Sequence, residues 1–170
     1  MNERTGLTAM AGNPLTLLGG EVKPGDKAPD FVALSNDMKP VKLSDYAGMK
    51  VIISSVPSLD TPVCDIETRR FNTEAAKLPD VTVLTISMDL PFAQKRWCGA
   101  AGIERVVTLS DHRDASFGMA YGVLVKDLRL LARSVFVIDS AGIIRYVQLV
   151  DDLTHEPDYD AVLEAASKLV

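Results

Sequence analysis

Residues 51 to 56 read Val-Ile-Ile-Ser-Ser-Val, a largely β-branched run without a charge, and the chain then passes through Pro57 and Thr61-Pro62 into a segment with helical spacing. A strand with so few polar positions has to be covered on both faces, which calls for layers packed on either side of a sheet. The same alternation continues downstream. Val81 to Met88 reads as a strand, Pro91 to about Ala101 as a helix, and Val106 to Leu109 as a strand. Two long strands are expected at Leu130 to Ile138 and Ile143 to Val150, joined as an antiparallel hairpin by Asp139-Ser140-Ala141-Gly142, before a terminal helix from Pro157. The helix after the central strand is expected from about Pro62 to Leu78. Upstream, Gly12-Asn13-Pro14 marks a turn in an N-terminal β-hairpin, and Phe31 to Leu34 and Val41 to Leu43 read as short strands. Strands and helices alternate without an internal repeat or a linker. The expected class is therefore α/β, with a central mixed sheet flanked by helices in one domain over residues 1–170.

A net charge of −5 makes duplex nucleic acid and anionic membranes poor partners. A chain of 170 residues buries roughly 70% of its unfolded surface, enough for a core that needs no disulfide or metal staple. No apolar run reaches the ~18 residues of a membrane span, and no signal-peptide core follows the opening Met1-Asn2-Glu3, so a cytoplasmic location is expected. Thiols are kept reduced there. The two cysteines, Cys64 and Cys98, then point to transient redox chemistry, metal binding or plain packing rather than a structural bridge. They form no C-x-x-C pair, and the only histidines, His112 and His155, lack ligand spacing, so no metal is expected. Nor is there a G-x-G-x-x-G or Walker loop to seat a nucleotide, and no cofactor is expected.

Cys64 lies in Pro57-Ser58-Leu59-Asp60-Thr61-Pro62-Val63-Cys64, where Thr61 suits the N-cap and Pro62 the first helical position. This puts the sulfur at the third helical residue, near unpaired N–H groups and the positive end of the helix dipole, which favour a thiolate. The helix alone is not sufficient. A thiol of pKa ~8.5 is about 3% ionised at pH 7, and bringing one to ~6 takes about 3.4 kcal/mol, whereas a helix terminus supplies ~0.3–1 and at most ~2. Asp65 and Glu67 next to the cysteine oppose the anion, so a reactive Cys64 needs a distant Arg or Lys brought in by the fold. The plain alternative is that Cys64, Thr68, Phe71, Ala75 and Leu78 form one buried helical stripe in which the cysteine is a small core residue.

Cys98 falls late in its helix, near Gly99 and Gly102, where the dipole opposes ionisation and the glycines ease unwinding. A bridge between the cysteines needs Cα atoms within roughly 7 Å, which the Gly-Ala-Ala-Gly stretch at residues 99 to 102 could permit by unravelling; otherwise Cys98 simply packs beside Trp97. Arg133 interrupts an apolar strand, on the face expected to carry Leu131, Val135 and Val137. An anionic sulfur is one partner for its guanidinium, and an Asp or solvent is the other. Two further patterns compete. Cys64 to Arg70 matches C-x5-R, although acidic neighbours and the lack of glycine argue against a phosphate cradle, and a Cys-His hydrolase would recruit His112 or His155.

The Pro57-to-Cys64 stretch, P-x-x-x-T-x-x-C, resembles the peroxidatic motif of peroxiredoxins. Asp89-Leu90-Pro91-Phe92-Ala93-Gln94, Trp97-Cys98-Gly99, Ala132-Arg133-Ser134-Val135 and Glu156-Pro157-Asp158-Tyr159 resemble the bacterial thiol peroxidase subgroup, an atypical two-cysteine peroxiredoxin family. The resemblance implies a thioredoxin-like fold with an N-terminal hairpin, a homodimer, and reduction of hydroperoxides with thioredoxin as reductant. By position it implies Cys64 as the peroxidatic cysteine, Cys98 as the resolving cysteine, and Thr61 and Arg133 as active-site partners. Asp65 departs from the pattern and bears on how the thiolate is stabilised.

Overall fold

The computed structural model describes residues 2–169. In chain order the elements are β1 (Glu3–Arg4), β2 (Ala9–Met10), β3 (Asn13–Pro14), β4 (Leu17–Leu18), β5 (Val32–Leu34), β6 (Pro40–Lys42), a 3₁₀ turn (Leu43–Tyr46) and β7 (Lys50–Ser55). There follow α1 (Pro62–Ala75), β8 (Val81–Ser87), α2 (Pro91–Ala101), β9 (Val106–Ser110), α3 (Ser116–Ala120), β10 (Leu124–Val125), β11 (Leu130–Leu131), β12 (Ser134–Ile138), β13 (Ile144–Leu149) and α4 (Tyr159–Ser167). Seven strands form the central sheet in the order β13-β12-β7-β8-β9-β5-β6. The β7–β8 and β8–β9 pairs are parallel and the others antiparallel, so the sheet is mixed as expected.

The period-two alternation of each strand divides the interior. Ile52, Val83, Val135 and Val137 face α1 and α4, meeting Phe71, Ala75, Tyr159 and Val162. Ile53, Leu84, Ile86, Phe136 and Ile138 face the opposite layer, where Phe31, Phe117 and Tyr121 pack edge-on or stacked. That layer also contains a four-stranded sheet, β1-β4-β10-β11, which the sequence reading did not anticipate. Its approach to α3 requires glycine: a Cβ at Gly19 would lie 2.2 Å from the Met119 carbonyl oxygen, and φ there is +97°.

Several expectations change in detail. The N-terminal hairpin is present as β2–β3, but Ala11 and Gly12, both at positive φ, make its turn, while Asn13 and Pro14 pair in the strand. Leu43 leaves β6 for the 3₁₀ turn, and α1 ends at Ala75 rather than Leu78. The terminal helix starts at Tyr159, capped by the Asp158 side chain, which accepts from the Ala161 N–H. The apolar run Leu130 to Ile138 is two strands in two different sheets, broken at Ala132-Arg133. Leu131 therefore joins the cluster opposite Val135 and Val137 and does not share their face.

This break places Arg133. Antiparallel pairing sets Ser134 opposite Ser55, the last residue of β7, and α1 begins a few residues beyond Ser55. Arg133 is consequently delivered to the N-terminal end of α1, although 69 positions separate it from Cys64.

Candidate active site

Thr61 is the N-cap of α1 with an extended backbone, and Pro62 occupies the first helical position. The Thr61 side chain makes no capping bond, however; its hydroxyl donates to the Ser58 carbonyl at 2.9 Å. This leaves the early helical N–H groups of Val63 and Cys64 without a side-chain cap. It also leaves the Thr61 oxygen with lone pairs to accept a hydrogen bond, its proton being engaged elsewhere.

The Cys64 side chain is fully buried against Val56, Leu59 and Trp97. Its sulfur lies 3.2 Å from Nη2 of Arg133. Arg133 is itself 1% exposed and is held by three other hydrogen bonds: Nε and Nη2 donate to the Leu153 carbonyl at 3.1 and 2.7 Å, and Nη1 donates to Glu67. At 3.2 Å and an effective dielectric of ~20, a guanidinium attracts a thiolate by about 5 kcal/mol before desolvation. The fold thus brings to within hydrogen-bond distance of the sulfur the distant cation that a reactive Cys64 needs. Burial opposes the charge on Arg133, and the Glu67 carboxylate and the Cys64 sulfur more than offset it, so its pKa is raised.

Glu67 is the functional candidate that the sequence reading misjudged. Expected only to oppose the anion at Cys64, it is completely buried and accepts from Arg133 and from the Ser54 hydroxyl at 3.1 Å. Burial pushes its carboxyl up to about 7, against the lowering attraction of Arg133. The signal was its position: Cys64, Glu67, Thr68 and Phe71 follow the 3-4 spacing of one buried stripe, and a glutamate on such a stripe requires a partner.

Asp65 is turned away from the sulfur. Its Oδ1 accepts from Arg69 Nε at 3.0 Å and from the Trp97 indole N–H at 3.1 Å, and the Arg69 guanidinium lies 5.7 Å from the centroid of the Trp97 ring. The acidic neighbour thus spends its charge on a clasp between α1 and α2. An open pocket of about 300 Å³ bounded by Leu59, Asp60, Thr61, Pro62, Asp65 and Trp97 lies at this helix end, next to the buried sulfur. Larger cavities of about 600 Å³ beside Tyr146 and about 570 Å³ beside Tyr46 lie along other residues, and none of the three is lined by a cysteine, so neither size nor lining locates the chemistry.

Cys98 is half-buried on α2, with its sulfur 3.4 Å from the Thr108 hydroxyl of β9. Both cysteines are free thiols. The Cys98 carbonyl accepts from the N–H groups of Gly102 and Ile103, with Gly102 in the left-handed conformation that ends α2. Cys98 is therefore one glycine-capped helical turn away from release. Arg70 pairs with Glu74 and covers the Tyr159 ring, the exposed His155 ring meets Asp151, and the His112 backbone N–H donates to the Ser110 hydroxyl. Among the described residues the sulfur of Cys64 has Arg133, not a histidine, as its hydrogen-bond partner, and no group of three or more His, Cys, Asp or Glu side chains is arranged to hold a metal.

Residues 23–163 match the family model described as Redoxin. The chain belongs to the Redoxin family. It is 61% identical to the thiol peroxidase of Halalkalibacterium halodurans over 155 residues, covering 91% of this chain and 93% of that one. It is 60% identical to the thiol peroxidase of Bacillus subtilis over 159 residues, 94% and 95% of the two chains. Its fold superposes on the crystal structure of a peroxiredoxin-like protein from Aquifex aeolicus with a TM-score of 0.91, 42% identity and full coverage of both chains. A thiol peroxidase from Chromobacterium violaceum, at 19% identity and a TM-score of 0.87 over 95% of each chain, shares the fold. Within the redoxins this chain therefore sits with the thiol peroxidases, and its sheet and helices have the thioredoxin-like arrangement.

Proposed function

We propose that this redoxin is a thiol-dependent peroxidase that reduces hydrogen peroxide and alkyl hydroperoxides at Cys64. The contact of Arg133 Nη2 with the Cys64 sulfur, at the uncapped start of α1, is the observation that carries this reading. The thiolate attacks one peroxide oxygen; a sulfur–oxygen bond forms, the oxygen–oxygen bond breaks, and the departing oxygen takes up a proton and leaves as water or an alcohol. Thr61 accepts from the peroxide O–H, while Arg133 and the Cys64 N–H donate to the oxygen on which negative charge develops. Each group is fixed before substrate arrives, which lowers the reorganisation needed during attack.

The Cys64 sulfenic acid then condenses with the Cys98 thiol, expelling water and forming an intramolecular disulfide. Cys98 faces Thr108 in the reduced protein, so the condensation requires the end of α2 to unwind at Gly99 to Gly102. A dithiol protein of the thioredoxin class reduces the bridge, and the two thiols carry both electrons without a bound cofactor. The same reading has the protein working in a reducing, cytoplasmic compartment as a homodimer, with exposed Leu90 and Phe92 at the start of α2 as the face for the second copy. Among the described residues no helix is long and apolar enough to cross a membrane.

Stoichiometric consumption separates the cysteines. Cys98→Ser is expected to consume about one peroxide per chain and to accumulate sulfenic acid, whereas Cys64→Ser consumes none. Equal consumption by Cys64→Ser and the parent protein overturns the assignment.

A further inference from the structure

The Leu59 side chain borders the buried sulfur and Thr61 stands at the N-cap of the helix that carries it, and both belong to a loop that would otherwise be free to reorient. Thr61 donates to the Ser58 carbonyl, and Leu59, 2% exposed, packs on Cys64. The loop is held from outside by Asp89, in the bend between β8 and α2. Its Oδ1 accepts from the Ser58 hydroxyl at 2.7 Å, and its Oδ2 accepts from the Leu59 N–H at 2.8 Å and the Ser87 hydroxyl at 2.7 Å. Ser58 Oγ in turn accepts from the Asp60 N–H at 3.2 Å. Each of the three groups meeting the carboxylate donates to it, so an anionic acceptor suits the site as no amide or hydroxyl would.

We propose that Asp89 is a positioning residue for peroxide attack: through Ser58 it fixes where the Thr61 hydroxyl stands, and through the Leu59 N–H it fixes the apolar cover of the sulfur. The inference rests on the reading of Cys64 as the peroxide-reducing thiol. The carboxylate is itself anchored, since its backbone carbonyl accepts from the Ser110 hydroxyl at 2.5 Å and Ser87 Oγ accepts from the Gln94 amide at 2.9 Å. The ends of β8 and β9 therefore serve as the rigid base from which the loop after β7 is aimed. Asp89 touches neither sulfur nor peroxide; its effect passes through Ser58 to the Thr61 oxygen and through the Leu59 N–H to the cover of the sulfur.

The test uses the full chain carrying Cys98→Ser, so that one thiol reacts, and compares oxidation of Cys64 by hydrogen peroxide with its alkylation by iodoacetamide. Alkylation requires a reactive thiol but no aligned peroxide. Asp89→Ala is expected to slow oxidation about 10- to 100-fold while changing alkylation by less than about 3-fold. Asp89→Asn, which keeps one acceptor oxygen, is expected to recover part of the oxidation rate. In a Thr61→Val background Asp89→Ala has a smaller effect than in the parent, because the arm through Ser58 is already cut and only the arm through the Leu59 N–H remains. Ser58→Ala severs one strand of the clamp and keeps the Leu59 bond, so it carries the test if Asp89→Ala does not fold; a selective fall in oxidation is expected there too. Equal slowing of oxidation and alkylation, an unchanged oxidation rate, or fully independent effects of Asp89→Ala and Thr61→Val overturn the proposal. If the parent protein itself is not oxidised at Cys64, the peroxidase reading fails first and is recognised separately.

Discussion

Replacing Arg133 by methionine separates what the guanidinium does for stability from what it does for chemistry. Both it and Glu67 are essentially without solvent, at 2% and 0% side-chain exposure, so the variant leaves a buried carboxyl without its cation. In the parent protein the Glu67 carboxyl is already raised from 4.5 to about 7. A folded-state carboxyl raised in this way contributes stability that is fully present below pH 4.5 and lost as pH rises to about 7. The guanidinium holds that value down, so in Arg133→Met it moves above 7 and the loss continues further into the alkaline range. At pH 6 the carboxyl is mostly protonated in both proteins, and the variant loses the Arg133 bonds to the Leu153 carbonyl and to Glu67, about 1–3 kcal/mol. At pH 8 the deficit is expected to be larger by roughly 1 kcal/mol, the cost of keeping one proton for one further pH unit. Adding Glu67→Gln removes this carboxyl, so the double variant recovers the carboxyl's share of the pH-dependent deficit, and what remains is the loss of the cation beside Cys64. Peroxide reduction does not recover: loss of a donor aimed at developing charge costs about 10²- to 10³-fold in both variants. Urea unfolding at pH 6 and 8, with stopped-flow peroxide consumption, reads both quantities. A deficit identical at the two pH values, or a double variant that reduces peroxide at the parent rate, would refute the reasoning.

Asp65→Ala releases Trp97 and Arg69 from the clasp between α1 and α2. The ion pair is partly exposed and worth ~0.2–1 kcal/mol, and the indole bond about 1, so disulfide formation after oxidation is expected to quicken by roughly 5- to 30-fold, with less sulfinic acid under excess peroxide. Trp97 is the only tryptophan, so its fluorescence times the step directly, and an unchanged or slower step contradicts the clasp. Phe92→Glu, at a side chain 66% exposed, is expected to shift a homodimer toward monomer in sedimentation velocity without altering the fold seen by circular dichroism.

The legible parts of the chain were those in which local pattern and tertiary requirement coincide. The run at residues 51 to 56 is largely apolar because β7 lies inside the sheet, and Pro62 marks a first helical position by its own chemistry. Leu130 to Ile138 was misread because hydrophobicity is the same in either sheet; nothing local announces that Ala132-Arg133 is where the chain passes from one to the other. The two-residue strands β1, β4, β10 and β11 carry too few residues to show a period, and α3 is only five residues long. At the site, the need for a distant cation followed from comparing the helix terminus with the cost of ionising a thiol. Which way Asp65 and Glu67 turn did not, because two helical positions separate a carboxylate that meets Trp97 at the rim from one that meets Arg133 in the interior.

Intact-protein mass measurement with peptide mapping, after addition of one equivalent of hydrogen peroxide to the fully reduced protein, tests the central claim most directly. The account predicts a loss of two hydrogens confined to a bond between Cys64 and Cys98, formed through a sulfenic acid that can be trapped on Cys64 alone. An unchanged mass, or oxygen added first to Cys98 or to a methionine while Cys64 stays reduced, would contradict it.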